Sequence, residues 1–239
     1  MRDRFEATEG ALTALAGDES RLYEPLLGVL PVDGLSISTF GDFLPAETVS
    51  ASDAQSIRLD ELQLDLGEGP CWDALATRAP ILEPDIRHRP TRVWPVFSEA
   101  IIDDDLGALF AFPLLLGPLR IGAIDLYTTR PGHLSDLNIR QTSGLATVVS
   151  RLVLARAIRL AEGDIEGGAE SSRQFSRREV HQATGMVLAQ LGIAATDALL
   201  VIQGHAFAAG RPMQEIAQEI IDRRLSFAVN ENQIEGSHD

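Results

Sequence analysis

The chain opens with apolar residues at helical spacing. Phe5, Leu12, Leu15, Leu22, Leu26 and Leu27 predict a helix over 4–30. Alternation then takes over: Leu35, Ile37 and Thr39 face one way, Ser36 and Ser38 the other. Gly41-Asp42 signals a turn and a strand resumes over 43–51, so 34–51 reads as a β-hairpin. Ile57, Leu59, Leu62 and Leu66 predict a helix closed by Gly67-Glu68-Gly69-Pro70. A short helical piece at 74–76, a brief strand between Pro80 and Pro84, an irregular segment over 88–95 and a helix within 97–106 follow. Two apolar strands, 109–116 and 120–128, are separated by Gly117-Pro118. On the second of them Ile121, Ala123, Asp125 and Tyr127 are expected on one face.

Ser135 then caps a long helix over 136–161. Leu145, Val148, Leu152 and Ala155 recur at three and four, a coiled-coil-like seam that predicts a homodimer. The next residues, 162–172, are rich in Gly, Glu and Ser and read as a linker. Beyond them the pattern turns wholly helical. Ser176 and Glu179 form a capping box ahead of Val180, Ala183, Val187 and Leu191, and Gly192 closes that helix. Thr196 is expected to cap a second helix that stops at Gly210, and Pro212 to open a third that ends on Arg223-Arg224. The polar residues 228–239 read as a disordered tail.

Charge changes this picture in one respect. The chain of 239 residues carries a net charge of -15, which as a whole repels polyanions. Between Ser172 and Phe227, however, six arginines stand against five acids, so the tail is +1 and the remainder -16. The tail is the part compatible with nucleic acid. The single cysteine, Cys71, excludes an intramolecular disulfide. No apolar run approaches the roughly 20 residues of a membrane span, and no signal peptide is recognisable at Met1-Arg2-Asp3-Arg4, so a cytoplasmic protein is expected.

Several short sequences in the tail stand at one family's spacing: A-T-G at 183–185, D-A-L at 197–199, His205-Ala206, and E-I-A at 215–217. Together they resemble the ANTAR domain, the RNA-binding output module of bacterial transcription antitermination regulators. In the N-terminal half, L-G-E-G-P-C at 66–71, D-A-L at 73–75, R-V-W-P at 92–95 and G-A-I-D-L-Y at 122–127 resemble the GAF half of actinobacterial GAF–ANTAR proteins. The sequence departs from that pattern at Asp125, where asparagine is expected. The resemblances imply an α+β protein with a GAF-like antiparallel sheet flanked by helices over 1–161, a linker over 162–172, and an all-α three-helix ANTAR domain over 173–227. They also imply a signal sensed by the first unit, and paired RNA hairpins of a nascent transcript bound by the second.

Candidate chemistry is sparse. Histidines 88, 133, 181, 205 and 238 lack metal-ligand spacing, and no phosphate loop or nucleophile motif is present, so no catalytic constellation is indicated. Cys71, Trp94, Phe112 and Asp125 are the candidates for a small-molecule site. Cys71 reads either as a switch thiol or as a buried small hydrophobe. Asp125 reads either as a solvent-facing residue or as a polar handle in a pocket. For RNA the candidates are Arg177, Arg178, Gln203, His205, Arg211, Arg223 and Arg224, since arginine reaches phosphates and stacks on unpaired bases. Two alternatives stand beside this reading: a DNA-binding helix-turn-helix factor, and a sensor acting only through protein partners.

Overall fold

In the computed structural model, residues 2–41, 44–88, 93–162, 178–230 and 233–238 are described. The chain divides into two compact units, Met1–Phe175 and Ser176–Asp239.

The first unit is built on a five-stranded antiparallel sheet. Its strands are β1 (Gly34–Thr39), β2 (Glu47–Ala51), β3 (Ile81–Glu83), β4 (Ala108–Leu116) and β5 (Leu119–Thr128), in the order β2-β1-β5-β4-β3. The helices are α1 (Arg2–Ala14), α2 (Tyr23–Leu27), α3 (Ala54–Leu66), α4 (Pro70–Thr77), α5 (Pro95–Ala100) and α6 (Asp136–Glu162). The single helix expected over 4–30 is broken, with a 3-10 turn at Glu19–Arg21 between α1 and α2. Alternation along the strands divides the core in two. Leu35, Ile37, Phe110, Phe112, Leu114, Ile124 and Leu126 face α1, α2 and α6. Leu109, Ala123 and Tyr127 face α3, α4 and α5.

Ile121 does not share a face with Asp125. Leu114 pairs with Gly122 and Leu115 with Arg120, so Ile121 is the extra residue of a bulge. The bulge swings its side chain to the α6 layer, where it is fully buried. The strict period of two holds only within an unbroken ladder.

Helix α6 begins as expected: Ser135 Oγ accepts from the Asn138 N–H at 3.1 Å. The expected seam is split, however. Leu145 lies in the core of its own unit beside Ala146, Val149 and Val153, while Val148 and Leu152 are half-buried against the edge of that core and Ala155 is half-buried. The sheet takes the leucine that a partner helix would have used. Ion pairs from Arg156 to Glu47 and from Arg159 to Glu19 fix the far end of α6 to β2 and to the 3-10 turn.

The second unit is a bundle of α7 (Arg178–Leu191), α8 (Ala195–Ala209) and α9 (Met213–Ile221), followed by β6 (Leu225–Asn230) and β7 (Gln233–His238). Val180, Ala183, Val187, Ala198, Ile202, Ala206, Met213, Ile216, Ala217 and Ile220 make one core. Thr196 is not a cap: α8 starts at Ala195 behind Ala194, without a side-chain cap. Pro212 is the residue before α9 rather than its first. The expected linker, beyond Glu162, and the Ser176 half of the capping box lie outside the described residues.

Residues 228–230 and 233–238, expected as disordered, form strands. The reason is local. Leu225 and Phe227 alternate into the bundle core, and the Phe227 N–H donates to Gln190 Oε1 at 3.0 Å, which anchors β6 for β7 to pair with. Among the described residues no single helix is long and apolar enough to cross a membrane.

Candidate ligand cavity and nucleic-acid interface

Two polar stripes meet beneath α3. On the sheet, Ser36 and Ser38 of β1, Thr48 of β2 and Asp125 of β5 are buried. On the helix, Ser56, Asp60 and Gln63 recur at four and three, which puts them on the same buried face. The helix is placed by Asp53, whose carboxylate accepts from the Ser56 N–H at 2.9 Å and caps its start. Burial works to raise the Asp53 carboxyl, but hydrogen bonds from Ser52, Ser56 and the Tyr127 hydroxyl together hold it below the usual carboxylate range. The same surroundings push Tyr127 up to about 12, by burial and then by the charge of Asp53.

Asp60 is fully buried and accepts from Ser38 Oγ at 2.6 Å and Thr48 Oγ1 at 2.5 Å. Gln63 is a junction. Its Oε1 accepts from the Cys71 N–H at 2.9 Å, and its main-chain oxygen accepts from Trp72 Nε1 at 2.7 Å. The L-G-E-G-P-C stretch has its physical reason here. Gly69 stands at φ 132, and a Cβ added there would come within 2.6 Å of Gln63 Oε1.

Asp125 faces Ser36 across the β1–β5 ladder and is 9% exposed. Gln63 donates to its carboxyl group, while Oδ2 has no hydrogen-bond partner among the described residues. A buried acceptor in that state costs about 1–3 kcal/mol. Burial, then the nearby Asp60 charge, pushes Asp125 well above the usual carboxylate range, with Gln63 opposing. A cavity with about 10 Å³ of room opens here, lined by Ser36, Ser56, Gln63, Asp125 and Tyr127 among apolar neighbours such as Leu59 and Phe97. That is the space of about one water molecule.

The four candidates for this site separate. Cys71 is fully buried, and burial followed by the charges of Asp125 and Asp60 pushes its thiol well up, which keeps it protonated. Trp94 is packed against Phe97 with ring centroids 6.3 Å apart, and its Nε1 donates to Asp73 Oδ2 at 3.0 Å, so it belongs to the core beside the cavity rather than to its wall. Phe112 pairs with Ile124 and points into the α6 layer, on the far side of the sheet from Asp125. Only Asp125 lines the cavity. Sequence reasoning missed Asp60, Gln63 and Ser56. The signal was the spacing of polar residues on α3, which a search for apolar stripes passes over.

In the second unit Gln203 is half-buried on α8. His205, also half-buried, meets the Phe227 ring edge-on at 5.4 Å and lies against Gly236 of β7. Arg211 is engaged by Glu215 and Glu219, each at 3.0 Å, and Arg224 by Asp222 at 2.9 Å. Arg223 is exposed and takes a left-handed conformation, φ 59, just past α9. Arg177 and the side chain of Arg178 lie outside the described residues. Leu199, Leu200 and Phe207 stand exposed on α8.

Residues 172–221 match the ANTAR domain family. The first unit is similar to the GAF domain of a phosphoenolpyruvate-protein phosphotransferase from Coxiella burnetii, at 15% identity and a TM-score of 0.50, over 68% of this chain and 96% of that one. It is also similar to the GAF domain of the Acinetobacter phosphoenolpyruvate-protein phosphotransferase, at 12% identity and a TM-score of 0.49, over 68% and 96%. No curated protein matches the chain. The five-stranded antiparallel sheet between helical layers is that of a GAF fold. Followed by the ANTAR match over 172–221, this fold gives the chain a GAF–ANTAR architecture.

Proposed function

We propose that this protein is a signal-responsive RNA-binding regulator of transcription antitermination. The GAF unit senses a small molecule through the cavity beneath α3, and the ANTAR unit holds hairpins in nascent RNA. The observation that carries this reading is the ANTAR match, which falls on a bundle that packs its own core. The signal acts by population shift between arrangements of the two units in a homodimer that works in the cytoplasm. The half-buried residues Val148, Leu152 and Ala155 of α6 are the surface proposed for its pairing. Phosphates are met by Arg177 and by Arg178 at the start of α7, by Arg211 ahead of α9, and by Arg223 and Arg224 after α9, with Gln203 and His205 on α8 for bases. Arg211 and Arg224 must exchange their carboxylate partners for phosphate, which tempers affinity. A major-groove helix is disfavoured, because α9 presents Glu215 and Gln218 outward, with Glu219 already engaged by Arg211.

The test is titration of the protein against a pair of RNA hairpins at two salt concentrations. Arg177→Glu with Arg178→Glu, and separately Arg223→Glu with Arg224→Glu, are each expected to weaken binding and flatten its salt dependence. Unchanged affinity in both, or an equal preference for duplex DNA, removes the interface.

A further inference from the structure

We infer that Asp125 is the recognition point for a primary ammonium group, so that the ligand class of the GAF cavity is a small amine. The inference rests on the reading of this unit as a small-molecule sensor and deepens it.

The observations converge from charge, valence and size. Asp125 is nine-tenths buried, lines the cavity, and has one oxygen, Oδ2, without a partner among the described residues. A carboxylate oxygen in that position calls for a donor. The field around it is negative: the Asp60 charge of α3 bears both on Asp125 and on the Cys71 thiol of α4. Asp53, at the start of α3, hydrogen-bonds the Tyr127 hydroxyl on the same strand as Asp125. Among the described residues no arginine or histidine lines the cavity to neutralise these groups. An anion entering would therefore be repelled, and a neutral donor would leave the field as it is. A cation answers both the missing hydrogen bond and the charge.

Size and ligand set narrow the cation. The cavity has about 10 Å³ of room, enough for one water-sized group, and an –NH3+ head is of that size. A quaternary ammonium is too large. A divalent metal wants six or more oxygen ligands, whereas Asp60 is already committed to Ser38 and Thr48, and no group of three metal-ligating side chains occurs among the described residues. Binding also has a proton balance. Whatever proton Asp125 holds before binding goes to solvent as the ammonium takes its place, so binding releases up to one proton per amine. The wall that meets the ligand includes Gln63, which holds both Cys71 and Trp72, so occupancy is felt directly by α4.

The experiment is calorimetric titration of the full-length protein with methylammonium chloride, in two buffers of different ionisation enthalpy. Sodium chloride, tetramethylammonium chloride and sodium acetate serve at equal ionic strength. Saturable heat with methylammonium alone is expected, differing between buffers by the release of up to one proton. Asp125→Asn, which keeps the shape and is checked for folding by circular dichroism, is expected to weaken binding at least about tenfold and remove the buffer dependence. Methylammonium heat that is absent, or unchanged in Asp125→Asn, overturns the inference, and so does an equal response to sodium. A parallel thermal-shift panel of nucleotides and neutral amides separates the two readings. Stabilisation by one of these, indifferent to Asp125→Asn, sinks the amine and leaves the sensor. No response to any probe sinks both.

Discussion

Replacing Asp125 by asparagine is expected to stabilise the protein at neutral pH. The group sits well above the usual carboxylate range because burial, and then Asp60, disfavour its charge. The unfolded chain has an ordinary aspartate near about 3.9. Below that value both states hold the proton and nothing is lost. As pH rises past it, the unfolded state releases its proton first, and folding loses about 1.4 kcal/mol for each further step of one in pH until the folded group ionises too. Asparagine has no proton to release, and its amide oxygen can still accept from Gln63. Recovering the loss from a single such step lifts the melting temperature of a domain this size by about 3–6 °C. The assay is thermal denaturation of both forms from mildly acidic to mildly alkaline buffer. The wild type should lose stability with rising pH relative to the variant, and the two curves should converge in acid. A variant that melts lower at neutral pH, or a gap that does not change with pH, refutes the reasoning. If the gap appears, the native residue gives up stability at the place where the ligand is proposed to bind, a common pattern at functional sites.

Three further outcomes are expected. Cys71, fully buried with its thiol pushed up, should resist alkylation by iodoacetamide in the native protein and react only after denaturation; fast native labelling would contradict its placement. Phe227→Ala should destabilise the C-terminal unit by about 3–5 kcal/mol, read by urea denaturation, because the ring fills the bundle core and supports His205. Leu152→Asp should turn a dimer into a monomer in analytical ultracentrifugation; a wild type already monomeric at working concentration would mean that this surface of α6 has no partner.

Much of the fold was legible in the residues. Alternation at 34–39 and the apolar runs at 108–128 placed the strands, and helical spacing with Ser135 and Gly210 as punctuation placed the long helices. Local periodicity determined these elements because one face of each must be apolar wherever the fold puts it. What periodicity cannot say is which apolar face meets which. Leu145 belongs to a stripe that suits a second helix, yet the sheet of its own chain covers it. Phe112 and Asp125 look like members of one site, yet their ladder positions send them to opposite faces of the sheet. Leu225 and Phe227 are too few to predict a strand, and only the bundle they pack against makes one. The cavity shows the same division. Ser36, Ser38, Ser56, Asp60 and Gln63 are ordinary polar residues of a strand and a helix, and their sequence spacing fixes only that each set shares a face. It took the packing of α3 on the sheet to bury those faces together, which leaves Asp125 dehydrated beside Asp60 with one oxygen unanswered. Charge and hydrogen-bond state depend on what surrounds a side chain from every direction, and a linear sequence specifies neighbours in only one.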